Sequence, residues 1–463
     1  MRELLERFRR LSPGWQRLIV TALFMLAQVI IWVLLFETGW YKYRSITDTP
    51  VYYDYAGRIA RHMLPYRDFT VEYPPVAVLL FSLPRIVSGS SYDHFVTWFQ
   101  LEMLAFSCGI VAILSSLAWR QWRSIGKVAG TLGAYTFFLL AMGSIVECRF
   151  DLAAAFIILA SIACFVTDRY LFAWILLGVG MMTKIVPLLL APVFLIVHFR
   201  RRQFSELWLG PLALGITALI IAIPFLFGGA FGLALSFIYH ADRPVQIESI
   251  WASPIMLRAV FDHSYIIHIV NTFGSHNVYT TGAAFLGALS APVTAAFLLL
   301  GYLRFLRRSG DAGAVEGGSG MVLRYSAAAI AIFIAGGKVL SPQFFIWLIP
   351  LVPLIKGQDR RRVLLLFSGV LLLTQIEFPF NYWMLYGMSP YIVVEVALRN
   401  AAAIALAAAL VLGPVRPAWT MPFCTPRPVT PTIFSPMYPF SERAFFTSSS
   451  FSGRMMASIF FIS

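Results

Sequence analysis

From Leu18 to Phe36 the chain runs without a single charged side chain, and apolar stretches of comparable length recur as far as residue 413. A helix rises about 1.5 Å per residue and bilayer hydrocarbon is about 30 Å thick, so about 20 apolar residues suffice to cross. Within hydrocarbon every backbone N–H and C=O must be paired inside the segment, which leaves the helix as the form such runs take. Hydrophobic residues make up 59% of the sequence and charged ones 13%, more apolar surface than a soluble fold of this length can hide. The sequence predicts an all-α polytopic membrane protein.

Lys and Arg number 36 against 22 Asp and Glu. These cations cluster at the ends of the apolar runs, as in cytoplasmic loops facing anionic lipid, so nucleic acid is not the expected partner. Cys108, Cys148, Cys164 and Cys424 have no metal-ligand spacing, and neither a disulfide framework nor a metal site is indicated. The first run lacks a small-residue cleavage pattern and reads as a retained anchor.

Placing basic flanks inside orients the rest. After the first span comes an outer loop, then spans near 95–119, 128–146 and 151–167. Within the loop, "PPVAVLLFSLP" is too short to cross and reads as a re-entrant or interfacial helix. Tyr170 to Phe199 is basic at both ends, which fits two short helices meeting at Thr183–Pro187. Lys184 then sits recessed at their apex, where an unpaired ammonium costs about 3 kcal/mol, so an anionic partner is expected. Further spans near 207–227, 282–303, 324–337, 343–355, 363–377 and 392–413 make about 12 crossings with both termini cytoplasmic. Residues 228–280, "GGKVLSPQ" and "EFPFNYWMLYGMSP" fall outside, and "RFLRRSGDAG" and "KGQDRRR" inside. No internal repeat relates the halves. The membrane domain is 1–413; residues 414–463, rich in Pro, Ser and Phe, are expected to be a disordered tail.

The first outer loop concentrates polar chemistry. Pro50 to Leu64 predicts a short amphipathic helix, with Val51, Tyr55, Ile59 and Met63 at helical spacing. Either Asp48 or Thr49 caps it. If Thr49 does, Asp48 is left free near Lys42 and Arg44, an ionised carboxylate suited to general-base work. Asp54 and Arg58 read as a surface pair. Asp68 and Glu72 read as turn residues beside Arg67, or as groups shaping an acceptor site together with Tyr52.

In the long outer loop, "YHADRPVQIES" gathers His240, Arg243, Gln246 and Glu248, donors and acceptors suited to sugar hydroxyls. Arg243 reads equally as an interfacial arginine reaching for headgroups, and His240 as a solvated loop histidine. Asp151 reads as the cap of the following span, with Arg149 lining a cavity. "SPQ", ending in Gln343, breaks the backbone between two spans, tolerated at that depth where it lines a cavity.

Asp48 with "VYYDYA", "LPYRDF" and "EYPP" after a first span resembles the GT-C membrane glycosyltransferases. The likeness is nearest to glycosyltransferase family 87, which includes polyprenyl-phosphate-mannose-dependent mannosyltransferases. "FDLAAAFIILASIACFVTDRYLFAWILLGVGMMTKIVPLLLAP", "YHADRPVQIESIWASP" and "KVLSPQFFIWLIP" agree, so the likeness runs from about 38 to 356. It implies transfer of a hexose, with mannose the expected sugar, from a polyprenyl-phosphate donor to an envelope glycolipid or glycan on the outer side of the plasma membrane. Inversion is expected, with Asp48 as the base. A departing phosphate needs cations, and Lys184, Arg243 and Lys338 are the candidates. His240, Gln246, Glu248, Tyr52, Asp68, Glu72 and Gln343 are candidates for sugar and acceptor. No DxD pair or glycine-rich loop is present, so neither metal nor cofactor is expected. The first loop lacks the adjacent Asp-Glu pair of protein O-mannosyltransferases. The alternatives are a secondary transporter or lipid-linked-sugar flippase, and a structural subunit of an envelope-synthesis complex.

Overall fold

The computed structural model describes residues 2–37, 47–239, 242–309 and 318–413. After a short basic helix α1 (Arg2–Arg10), the first apolar run forms α2 (Pro13–Glu37). The outer-loop elements are α3 (Thr49–Ala60) and α4 (Pro75–Ser88), followed by α5 (Tyr92–Trp122) and α6 (Ile125–Met142). A connector holding the single turn α7 (Ile145–Cys148) leads to α8 (Asp151–Val166) and α9 (Tyr170–Met181). A 3-10 turn at Val186–Leu190 enters α10 (Ala191–Arg200), and α11 (Glu206–Ile238) follows. Beyond it lie α12 (Ser253–Phe261), strands β1 (His268–Thr272) and β2 (Ser275–Tyr279), α13 (Thr281–Arg308) and α14 (Gly318–Gly336). The chain then passes through 3-10 turns Pro342–Leu348 and Val352–Leu354 into α15 (Arg360–Gln375), α16 (Tyr382–Tyr386) and α17 (Pro390–Leu412).

Among the described residues, eight helices are long and apolar enough to cross a membrane. The peripheral ones turn large apolar side chains outward, with Trp208 81% and Phe231 78% exposed, a surface that lipid and not water must cover. The core sits around α8, where Leu152, Ala153, Ile158 and Leu159 are fully buried, packed against α5 and α9. A helix hydrophobic on all sides belongs in such a position. The described residues fall within the unit Met1–Trp419; the second unit, Thr420–Ser463, and with it the expected tail, lies outside them.

The break expected at Thr183–Pro187 is present: α9 stops at Met181 and proline at 187 opens the 3-10 turn. Other boundaries are corrected. Helix α3 stops at Ala60 and not Leu64, because His62 turns the chain with φ +63° and Met63 N–H returns to the Arg58 carbonyl at 3.1 Å. Its buried residues are Thr49, Tyr52, Ala56 and Gly57, whereas Val51 of the expected stripe is exposed. Residues 228–280 are not a plain loop. Helical turns continue to Ile238 past a kink at Phe227–Gly228, where φ of +85° calls for glycine. The antiparallel hairpin β1–β2 pairs His268 with Tyr279 and Thr272 with Ser275, so the chain is nearly but not entirely all-α. The stretch expected to span near 343–355 consists of buried 3-10 turns, with Phe345, Leu348 and Leu354 inaccessible.

Candidate functional site

The connector from α6 to α8 ends in Arg149, Phe150 and Asp151, and two ion pairs form on these three residues. Asp48 occupies the N-cap position of α3, yet its carboxylate makes no capping bond and instead meets Arg149 Nη1. Its backbone carbonyl starts the helix, accepting from Val51 N–H at 3.0 Å. Asp151 opens α8 but does not cap it: Oδ1 accepts from Lys184 Nζ at 2.7 Å and from Trp347 Nε1 at 2.7 Å. The reading of Asp151 as a cap is therefore corrected, and Lys184 has the anionic partner its depth demands.

Exposure divides each pair in the same sense. The Asp48 side chain is 30% exposed over an Arg149 at 8%, and Lys184 is 20% exposed over an Asp151 at 1%. A buried counter-ion thus holds an accessible working group in both cases. Lys184 is further fixed by the ring faces of Phe150, Trp347 and Phe344, at 4.8, 5.0 and 5.4 Å from Nζ to the centroids. Such contacts contribute about 0.5–2 kcal/mol each when desolvated. Burial pushes the Arg149 guanidinium down to about 10, opposed by the charges of Asp151 and Glu248.

Beneath the pairs lies an aromatic layer. Tyr52 stacks on Phe81 at 4.0 Å, and Phe150 meets Tyr52, Tyr73 and Phe81 edge-on. Tyr52 is 1% exposed, so this candidate for sugar contact is closed off as a supporting ring.

The other cations are Arg243 of the long outer loop and Lys338 of the segment between α14 and the Pro342–Leu348 turn. Arg243 Nη2 donates to Ser275 Oγ at 2.8 Å, which ties the loop to β2. Its positive charge and that of Arg149 both act on Lys184, and Arg243 with Asp242 acts on Lys338, so the four cations share one neighbourhood. Burial lowers the Arg243 guanidinium, against the pull of Tyr239 and Glu72. Glu72 also hydrogen-bonds Tyr239, joining the first outer loop to the end of α11. The Lys338 carbonyl accepts Gln246 N–H at 3.0 Å.

The remaining candidates are placed less openly. Gln246 and Glu248 are buried and hydrogen-bonded to each other, and the Glu248 carbonyl accepts from Arg399 and Asn400 of α17. They anchor the loop. Burial, reinforced by Glu377, raises the Glu248 carboxyl well above the usual range. Asp68 is a turn residue: it accepts from Leu64 N–H at 2.7 Å and pairs with Arg67, whose hydrogen bond holds its carboxyl below the usual range. Asp54 and Arg58 form the expected surface pair at 2.9 Å. Gln343 is half-buried on the Pro342–Leu348 turn. His240 lies outside the described residues, as do Lys42 and Arg44. Sequence reasoning missed Trp347 as a ligand of Asp151, and His276, whose Nδ1 lies 2.7 Å from Tyr382 Oη.

Glu147 yields a pH prediction. It is 5% exposed in the connector, Oε2 lacks a hydrogen-bond partner, and burial pushes its carboxyl from 4.5 up to about 8. Between those values the folded chain keeps a proton that the unfolded chain releases, so stability declines as pH rises through that window. Glu147→Gln removes the liability. Thermal unfolding in detergent should show variant and wild type alike near pH 4, and the variant more stable at pH 8; equal midpoints at pH 8 would contradict this.

No protein-family model matches the chain, and no curated protein matches it.

Proposed function

We propose that the chain is an integral-membrane hexosyltransferase of the GT-C kind, moving a hexose, with mannose the expected sugar, from a polyprenyl phosphate to an envelope glycolipid or glycan on the outer face of the plasma membrane. One observation carries the reading: the carboxylate of Asp48 and the ammonium of Lys184, both partly accessible, are each held by a buried counter-ion, and those counter-ions, Arg149 and Asp151, stand two residues apart where the connector enters α8. Among the described residues, eight helices are long and apolar enough to cross a membrane. The reading assigns four further crossings to the shorter segments Asp151–Val166, Tyr170–Met181, Val186–Arg200 and the 3-10 turns of Pro342–Leu354, and an interfacial place to Pro75–Ser88.

In this mechanism the acceptor hydroxyl attacks the anomeric carbon from the face opposite the phosphate. Asp48 takes the hydroxyl proton as the new C–O bond forms. The bond to the phosphate oxygen breaks, its electron pair leaves with the polyprenyl phosphate, and the anomeric configuration inverts. Lys184, with Arg243 and Lys338 nearby, counters the charge that develops on the leaving oxygen. Arg149 orients Asp48 through their ion pair. A paired carboxylate is a weak base, so proton transfer comes late, once the hydroxyl has been acidified by bond formation.

Purified protein supplied with radiolabelled polyprenyl-phosphate mannose and envelope glycolipids should form a labelled product. Lys184→Gln should lower kcat/KM for the donor about 10- to 100-fold, the cost of one charged hydrogen bond. Unchanged donor dependence would remove Lys184 from phosphate binding. Broken helices such as Tyr170–Arg200 also serve transporters. Movement of lipid-linked sugar across proteoliposomes without transfer would establish that reading instead.

A further inference from the structure

Helices α15 and α17 pack side by side, and their outer surfaces leave a groove of about 590 Å³ remote in sequence from the connector. Arg361 and Arg362 line it in the first turn of α15, and Leu365, Leu366 and Gly369 continue it along the helix opposite Ala402. The arginines stand at the end of the candidate span Arg360–Tyr386, so they lie at headgroup level while the apolar part runs into hydrocarbon.

The groove has one sign of charge. Asp359, which precedes the arginines in sequence, is taken up by Arg324, at 3.1 Å through Nη1 and 2.5 Å through Nη2. Arg360 turns the other way, donating to the Pro353 carbonyl at 3.3 Å and lying over the Trp122 ring at 5.8 Å. Arg361 and Arg362 are exposed, and among the described residues neither forms an ion pair. The groove is open at Gly369, where a β-carbon would meet nothing within 4 Å.

We propose that this groove binds an anionic phospholipid, its phosphate between Arg361 and Arg362 and one acyl chain along Leu365, Leu366 and Gly369. Charge selects the headgroup, and the continuation of the groove along a spanning helix selects a lipid over a soluble anion. The proposal is independent of the sugar-transfer reading.

Delipidated protein in detergent is titrated with phosphatidylglycerol and with phosphatidylcholine of the same acyl chains, and binding is read by native mass spectrometry. Each basic side chain at an anionic headgroup contributes about fivefold, so wild type should prefer phosphatidylglycerol about 30-fold. The double variant Arg361→Gln, Arg362→Gln should bind both lipids alike. Gly369→Leu, which fills open space and leaves both charges, should weaken both lipids. Equal affinities in wild type, a preference retained in the double variant, or displacement of phosphatidylglycerol by inorganic phosphate would each overturn the proposal.

Discussion

Asp48→Asn should lower sugar transfer by about 10²- to 10⁴-fold, the range that a positioned general base contributes. The amide preserves shape but cannot accept the acceptor's proton. It also removes the carboxylate that pairs with Arg149, whose side chain is 8% exposed, so some stability is lost as well. The two effects are separable. Adding Arg149→Gln to Asp48→Asn should restore much of the thermal midpoint, because no buried charge is stranded, and should restore no transfer. Transfer is measured with labelled donor at saturation, where a base defect appears in kcat and leaves the donor KM nearly unchanged. A single variant that keeps a rate within about threefold of wild type would exclude Asp48 as the base.

The second large effect concerns stability alone. Arg399 of α17 and Glu377 pair at 2.9 Å with both side chains fully buried, and Arg399 also donates to the Glu248 carbonyl. Breaking such a pair from one side costs about 3–5 kcal/mol, because a charge is left in a dry interior without compensation. Arg399→Gln is therefore expected to unfold the chain at markedly lower temperature in detergent. It should also loosen the loop that carries Gln246 and Glu248. The double variant Glu377→Gln, Arg399→Met should recover a large part of the loss. A single variant as stable as wild type would show that water reaches the pair.

What the sequence made legible follows from how local each determinant is. Apolar runs are local, and the eight long apolar helices lie where such runs stand in the sequence, whereas the apolar run near 343–355 forms 3-10 turns. The break before Pro187 was readable because two arms, each too short for a bilayer, share basic ends. That Lys184 needs an anion followed from its depth, but the anion's identity did not. Asp151 lies 33 positions away, and an aspartate opening a helix looks like a cap whether or not it acts as one. On α3, Val51 of the apolar stripe is exposed, because lipid accepts such side chains as readily as protein does, and the small or polar Thr49, Ala56 and Gly57 mark the buried face. The β1–β2 hairpin had a local signal, β-branched residues around Phe273–Gly274, that was subsumed into an outer loop. Both turn residues have positive φ, as a tight hairpin requires.

Arg149 and Asp151 are separated by a single residue, so their α-carbons stand at most about 7 Å apart however the bundle breathes. The connector therefore acts as a covalent ruler. Thermal motion of the helices can tilt the two counter-ions together, but it cannot stretch the spacing between their anchor points.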